Sequence, residues 1–572
     1  MRITNSMITN NAAGNINGTK VLVDKTNTQM TTQKKISRPS EDPVIAIRSL
    51  RLQTSLNKIN QYYEKNIPDA ESWMDVTETA LSNIKSIITD MRTLCVNGAT
   101  GTLTSDDRNT ILTQLKALQE QVYSEGNADY AGRTVFTGYR TDKTLTFLEN
   151  DANTTYNLTE PSKSDDIYRK RFFTNEVTVP ATPTQVGSLY TSLDEMDVQE
   201  TDYNVLRFAY DDISEINGFT FTKGGVDYTT TGLNDSANTQ SFTDADGNTV
   251  SYQSVTMTVS DGTNNSGYTA GNIMVFESEA DWAAYSFQNG DKAKTVGDND
   301  LIVIKETGEM VMGNTISAAF LTDDVTFSTD YTKKGFDIGE LRPEYYFNCV
   351  QLTDSTGAGV GGFDPATMST ADVYNGTTTG VGINYEKLDA NGNAINYDIN
   401  YTVAANQELN VNMEANEFMD HNIYQDMGDM IDIVKKAIAA NDKVEQIKTM
   451  LKSDQYADYT DQLNEFLAAA QKEADYANDH LQKRYNELLG NVDDYLEDVN
   501  LAITTIGCRG DQLSMTKTRM NNQQETVEEL KSTNDDMDLS DIIIKYTAAY
   551  TAYQSSLTAA GKLGQQTLLN YI

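Results

Sequence analysis

The sequence predicts a multidomain α+β fold: a long antiparallel helical rod from paired N- and C-terminal regions, with an all-β insertion of one or two lobes in the middle. Three observations carry this. Apolar residues keep three- and four-residue steps in the first and last quarters, the pattern of helices that pair along a seam. From about 141 to 410 Thr, Gly, Asn, Asp and Tyr dominate, and alternation replaces the heptad. The last segment, Leu539 to Ile572, carries the seam Leu539, Ile543, Tyr546, Tyr550, Tyr553, Leu557 and Ala560, at a place where most proteins fray. The predicted parts are 1–40, a terminal helix segment; 41–145, half of the helical domain; 146–410, the β-rich insertion; 411–532, the other helical half; and 533–572, a terminal helix.

In chain order, residues 1–38 lack proline, are polar, and space Ile3, Met7, Ile16, Val23 and Met30 sparsely. Alone such a helix is marginal, because nucleation costs more than so little burial returns. A turn follows at Arg38-Pro39-Ser40-Glu41-Asp42-Pro43, with Ser40 as the expected N-cap and Pro43 in the first helical turn. The helix after it carries Ile47, Leu50, Ile59 and Tyr62. Pro68-Asp69 is expected to start another, with the seam Trp73, Ala80, Ile84, Ile87, Met91 and Leu94, ended by Gly98 and Gly101. Ser105 is expected to cap a third, with Ile111, Leu115, Leu118 and Val122 on one face and Gly126-Asn127 at its close.

The middle reads as strands, such as Leu301–Ile304 and Thr256–Val259, separated by turns at Asn217-Gly218, Asp246-Gly247, Asp261-Gly262 and Asn391-Gly392. Helical spacing returns near Ile423. From Tyr485 to Leu530 a strict three-four alternation runs through Val492, Val499, Ile506, Leu513, Met520, Gln523 and Val527, with Gly507 and Gly510 inside it. Ser532 to Asp538 is a polar break before the last helix.

The formal net charge is −39. A surface so acidic argues against nucleic acid and against anionic membranes as partners. Yet residues 1–60 hold nine Lys and Arg against three Asp and Glu, so the remainder is more acidic still. That basic start reads as a solvated face or as a surface that meets acidic partners in an assembly. No apolar stretch follows Met1-Arg2-Ile3-Thr4-Asn5, so neither a secretory signal peptide nor a membrane anchor is expected. Cys95, Cys349 and Cys508 are too scattered for a disulfide framework or a zinc site and read as small packing residues.

No catalytic, cofactor-binding or metal-binding residue is predicted. His421 and His480 lie in no zinc motif, and no phosphate-binding loop or nucleophile elbow occurs. Aligning Gly247 and Gly392 to the sixth position of a calcium loop puts Phe242 and Lys387 where an oxygen ligand is required, so hairpin turns are expected there. The run Ser355–Gly362 is glycine-rich without a lysine and reads as a loop. The 31 tyrosines suit interfaces, which use their large, semi-rigid contact area, or packed cores.

Several short motifs, in order, carry a resemblance. They are Met1-Arg2-Ile3-Thr4, the turn Pro39-Ser40-Glu41-Asp42-Pro43, Thr104-Ser105-Asp106-Asp107-Arg108, Ile506-Gly507-Cys508-Arg509, Met537-Asp538-Leu539-Ser540-Asp541 and the ending Leu568-Leu569-Asn570-Tyr571-Ile572. The most diagnostic is Gly132 to Thr141, with Phe136, Gly138 and Tyr139, which resembles G-x-x-x-F-x-G-Y-[KR]-T. Together they resemble the flagellin superfamily of bacterial flagellar axial proteins, and within it the hook-associated proteins of the hook–filament junction. Thr31-Thr32-Gln33-Lys34 stands where that family commonly has S-x-G-[KR]. The resemblance covers roughly 1–145 and 410–572.

The resemblance implies a non-enzymatic structural adaptor. It would leave the cell without a cleaved signal peptide and lie outside it at the hook–filament junction. Its implied partners are flagellin, the other hook-associated junction protein and further copies of itself in a ring or tube, with an export chaperone as a further candidate. It also implies termini that order on assembly. Flagellin itself is the alternative, followed by a secreted protein with flagellin-like ends and a glycan-binding or enzymatic β insertion.

Overall fold

A computed structural model describes the chain except residues 1–4, 101–102, 175, 191–197, 224–225, 245–246, 258–270, 289–290, 292, 323–324, 371–372, 374–379, 390–391 and 566–572. The opening tetrapeptide, Gly101, Thr258-Val259, Asp261-Gly262, Asp246, Asn391 and the ending 568–572 therefore lie outside the described residues.

In chain order the elements are α1 (Asn5–Thr32), α2 (Pro43–Gln61), α3 (Ile67–Gly98), α4 (Ser105–Gly126), β1 (Asp129–Tyr130), β2 (Arg133–Thr134), β3 (Asp151–Lys163), β4 (Ile167–Thr174), α5 (Pro183–Tyr190), β5 (Gln199–Arg207), β6 (Ile213–Lys223), β7 (Val226–Thr231), β8 (Thr239–Thr243), β9 (Thr249–Thr256) and β10 (Asn272–Phe276). Then come α6 (Glu279–Gln288), β11 (Leu301–Ile304), β12 (Glu309–Met312), α7 (Asn314–Phe320), β13 (Val325–Phe336), β14 (Asn348–Thr353), β15 (Ile383–Tyr385), β16 (Asn400–Ala404), β17 (Gln407–Asn410), α8 (Asn422–Leu451), α9 (Thr460–Asp535) and α10 (Leu539–Gln565). They group into two compact units: 1–72 with 400–411 and 508–572, and 73–399 with 412–507.

The first unit is helical. Asp42, not Ser40, caps α2: its carboxylate accepts from the amides of Val44 and Ile45. The cap must be the residue directly before the helix, and Pro43 at the first helical position leaves only Asp42 for it. Nor does Pro68 start a separate helix. A π-turn at Tyr62–Asn66 joins α2 to α3, the wider turn accommodating a proline that offers no N–H. Residues of α2 meet the 524–535 stretch of α9 in antiparallel order. Asn534 donates to the Ile45 carbonyl (3.1 Å), Lys531 to Gln53, and Gln524 to Asn60 (3.2 Å). The face of α2 that carries Ile47 and Leu50 is exposed, and Leu56 is the buried position. The hairpin β16–β17 lies beside the helices of this unit, where Arg509 donates to Asn410 (2.9 Å) and Gln407 to Thr516 (3.2 Å).

The seam of α9 keeps its seven-residue repeat only so far. Thr516 and Met520 are buried, but Gln523 and Leu530 face outward, while Gln524, Val527 and Lys531 are half-buried. A near-straight α-helix drifts about 20° per heptad against a strict seven-residue pattern, and the inward stripe slips by one residue. Gly507 and Gly510 do not interrupt α9.

In the second unit α3 and α9 also run antiparallel. Arg92 pairs with Asp493 (2.5 Å), and Tyr485 lies against Gly98. The α3 seam from Trp73 to Leu94 is buried throughout. Thr104, not Ser105, caps α4, in a reciprocal capping box with Asp107.

The insertion is built on two sheets, ordered β4-β5-β12-β11-β10-β9-β8 and β15-β14-β3-β13-β6-β7. Among the described residues it also holds three short α-helices, α5, α6 and α7. One has a clear cause: β10 and β11 are parallel, and a parallel pair needs a crossover, which α6 supplies. Its Trp282 packs in one core cluster with Phe172, Val205, Phe276, Ile302 and Val311. Asn217-Gly218 is not a turn. It lies inside β6, where Asn217 is the extra residue of a bulge against β13, and its amide donates to Thr332 (3.0 Å).

Candidate assembly site

Helices α1 and α10 pack against each other in the first unit. Their order is antiparallel, because the end of α1 and the start of α10 meet in a short bridge. The Lys35 amide donates to the Asp535 carbonyl (2.8 Å), the Met537 amide to the Gln33 carbonyl (3.0 Å), and Lys34 pairs with Asp536. Hydrogen bonds from Lys34 and Ser532 hold the Asp536 carboxyl below its ordinary range. Asp538 then accepts the Ser540 amide (2.6 Å) at the first turn of α10.

The inward stripe of α10 is Ile542, Tyr546, Ala549, Tyr553, Ser556 and Ala560, with Ile542 and Ala549 buried. Against it α1 turns Ile8, Ala12, Ile16, Thr19, Val23, Thr26 and Met30. Among them Ala12, Thr19 and Thr26 are small; Thr26 satisfies its buried hydroxyl on the Leu22 carbonyl (2.9 Å). Small side chains let two helices approach, and they bury little apolar area.

Of the seven predicted seam residues, Tyr546, Tyr553 and Ala560 are half-buried on this stripe. Leu539 (49% exposed), Ile543 (47%), Tyr550 and Leu557 form a second apolar stripe beside it, open to solvent. Tyr546 and Tyr550 stack at 6.0 Å and link the two. Ile542 and Ala549 were not singled out by the sequence pattern. Two apolar stripes one residue apart give the same periodicity, and only the small residues at 549, 556 and 560 distinguish the side that packs.

The second unit contains the Gly132–Thr141 motif. Ala131 and Gly132 both have positive φ and form the two-residue turn of the β1–β2 hairpin. Phe136 is buried against Phe418 (4.9 Å), and its carbonyl accepts the Ala415 amide (2.9 Å). Gly138 has φ +61°, and a Cβ there would collide with the Glu414 carboxylate. Glu414 is buried, forms an ion pair with Lys387, and accepts the Tyr397 amide (2.6 Å). Tyr139 lies on the surface edge-on to Tyr397 (4.6 Å). Arg140 reaches Glu344 (3.2 Å). Thus Phe136, Gly138 and Tyr139 come together as a buried anchor, a clearance and an exposed ring. Pro39, Ser40, Asp42 and Pro43 lie in the first unit and shape the entry to α2. Glu414 and Lys387 carry no local signature and were missed.

Among the described residues no group of three or more His, Cys, Asp or Glu is placed to hold a metal ion, and no helix is long and apolar enough to cross a membrane. Cys95 and Cys349 are buried, and burial pushes the Cys95 thiol up to about 12; Cys508 is exposed.

Comparison with known proteins places these features. Residues 3–141 match the bacterial flagellin N-terminal helical region. The flagellar hook-associated protein 3 of Salmonella typhimurium is 29% identical over 143 residues, 25% of this chain and 45% of that protein. The protein of the same name from Escherichia coli is 30% identical over 115 residues, 20% of this chain and 36% of that one. The chain thus spans less than half the length of these relatives. The flagellar junction protein FlgL from Legionella pneumophila is 12% identical, with 85% of this chain and 99% of that one covered and a TM-score of 0.28. The matched N-terminal region and the two hook-associated relatives show a resemblance to FlgL-type hook-associated proteins of the flagellin superfamily, and the family match lies within residues 3–141.

Proposed function

We propose that the protein is a structural adaptor of the bacterial flagellum, joining hook and hook-associated protein to the flagellin filament. The observation that carries this reading is the open apolar stripe Leu539, Ile543, Tyr550 and Leu557. It lies on a helix pair whose α1 half falls within the matched flagellin region. Monomeric proteins rarely leave such a row exposed, and a heterologous contact of this kind builds rings or tubes. Segments 1–40 and 533–572 would form the inner wall, and 41–145 with 411–532 the surrounding helical domain. One face meets the other hook-associated protein, the opposite face meets flagellin, and neighbouring copies pack beside it. The protein is exported to the hook–filament junction without a cleaved signal peptide, guided by an export chaperone, and catalyses no reaction. Filament subunit is the weaker reading, since both curated relatives above are hook-associated proteins.

The test is location and truncation together. Tagged full-length protein should appear as a spot at the hook's end. A chain lacking Leu539–Ile572 should stay folded and soluble yet support no filament growth, and Ile543→Asp with Leu557→Asp should reproduce that loss with tryptophan fluorescence unchanged. Label along the whole filament, or normal growth of the truncated form, would overturn the proposal.

A further inference from the structure

Two short stretches of the second unit, Lys387-Leu388 and Ala394 to Asn396, lie side by side. The Ile395 amide donates to the Lys387 carbonyl (2.7 Å), and Leu388 and Ala394 pair in an antiparallel bridge. Asn348 fixes the first stretch, its side-chain carbonyl accepting the Lys387 and Leu388 amides (2.7 and 2.8 Å). This pairing carries the Lys387 side chain to Asn396. Its Nζ donates to the Ile395 carbonyl (3.1 Å) and to Asn396 Oδ1 (3.4 Å), and it forms an ion pair with Glu414. Lys387 and Glu414 are each 5% exposed, while Asn396 reaches the surface. Glu414 is itself held in place: its Oε1 accepts the Tyr397 amide (2.6 Å) and lies in the space that Gly138, lacking a side chain, leaves open.

An ion pair needs only the amine and the acid. Here a third group, a primary amide, lies against the amine. Nζ is 3.4 Å from the oxygen of the Asn396 carbonyl, near the separation of a reacting pair. That oxygen also accepts from the Asn416 amide (3.3 Å), a donor placed where negative charge gathers when a nucleophile adds to the carbonyl. Burial supplies the rest. Charges out of water are costly, and one proton passing from Nζ to Glu414 replaces two of them by a neutral amine and a neutral acid. The amine is then a nucleophile, and the acid in contact with it a proton carrier.

We propose that Lys387 and Asn396 join in an isopeptide bond, made by the folded chain on itself with Glu414 as the proton carrier. The Nζ–Cγ bond forms and the Cγ–Nδ2 bond breaks. Of the three protons on the starting ammonium, one stays on the new amide, one ends on Glu414, and one leaves with Nδ2 as ammonia. No electrons are exchanged and no co-reactant is needed. The product is uncharged where a buried ion pair stood, and the ammonia escapes at the exposed Asn396. The reaction occurs once per chain and is not turnover. It is independent of the terminal helices, and the adaptor reading stands or falls without it.

The experiment uses the full chain, purified, unfolded, digested with trypsin and weighed by mass spectrometry. Between Lys334 and Lys435 the one cleavable site is Lys387, since Arg342 precedes a proline. Trypsin does not cut after an acylated lysine. Residues Gly335 to Lys435 should therefore appear as one product, lighter than its sequence by one ammonia. Asn396→Ala should restore both the full mass and cleavage after Lys387, with tryptophan fluorescence unchanged because the side chain removed is exposed. Glu414→Gln should stay unlinked as well. Cleavage after Lys387 in the unaltered chain overturns the proposal, as does a linked product that persists in Asn396→Ala. So does a loss of ammonia that hydroxylamine reverses, which marks a cyclised asparagine and not an amide to lysine.

Discussion

The two units bury their apolar side chains very differently. The first, with 1–72, 400–411 and 508–572, leaves 13 large apolar residues exposed among the described residues; the second, nearly three times longer, leaves nine. Along α1 and α10 the packed faces mix Ala, Thr and Ser with Ile, Val, Met and half-buried Tyr, while the second unit buries Trp73, Trp282, Phe136, Phe172, Phe219 and Tyr485 completely or nearly so. One region is finished as a monomer. The other closes through a narrow mixed stripe and keeps a further row of large apolar residues facing out. The difference teaches where to look for assembly: at the helix pair that closes on itself with the least apolar area and offers the most.

Both tryptophans, Trp73 and Trp282, lie in the second unit, so fluorescence reports it alone while far-ultraviolet helicity reports both. The largest effect should come from Phe136→Ala. Losing a ring buried against Phe418 should cost about 3–5 kcal/mol, read as an earlier urea midpoint in fluorescence. A single helical transition that shifts as a whole with the fluorescence would show that the units are not separable.

Acidity should divide them next. Burial raises Glu340 to about 7, against a group that titrates near 4.5 when unfolded. The folded state therefore holds a proton that the unfolded state has released between those values. Stability from this group is full below 4.5 and lost as pH rises through 7, on the order of 3 kcal/mol. Asp536 in the first unit has the opposite sign. Its carboxyl is depressed, so its contribution is present above the ordinary carboxyl range and fades in acid. Glu340→Gln should flatten the fluorescence-detected dependence between pH 5 and 7.

The smallest effect concerns Gln33, held at φ +57° just after α1. A left-handed conformation there strains any side chain, and Gln33→Gly should stabilise the α1 terminus by about 0.5–1 kcal/mol. The helical midpoint should rise and the tryptophan midpoint stay put; a fall would mean that the Gln33 side chain has a role of its own.

Much of this layout was legible in the residues. The α3 seam reported burial correctly because it has one apolar stripe and a large core to fill, and the α9 seam did so from Tyr485 to Ile506 and again at Leu513, Thr516 and Met520 before it slipped at Gln523. The inward side of α10 was not legible: Leu539 and Ile542 begin stripes of equal period, and partner shape, not spacing, selects between them. Ser40 and Ser105 were credible caps by type, yet Asp42 and Thr104 sit at the true boundaries. The Gly138 position was visible as a motif residue. Its cause was not, because Glu414 and Lys387 reach it from far along the chain.

The bridge between Lys34 and Asp536 has a consequence in time. About five hundred residues separate α1 from α10, so the first-made helix waits for nearly the whole chain before its partner exists. Contacts of such long separation form late and add little beyond an already costly loop closure. An unpaired α1 is thus the ordinary state of the growing chain. Whatever keeps that segment from associating wrongly must act on it during synthesis and be released when α10 arrives.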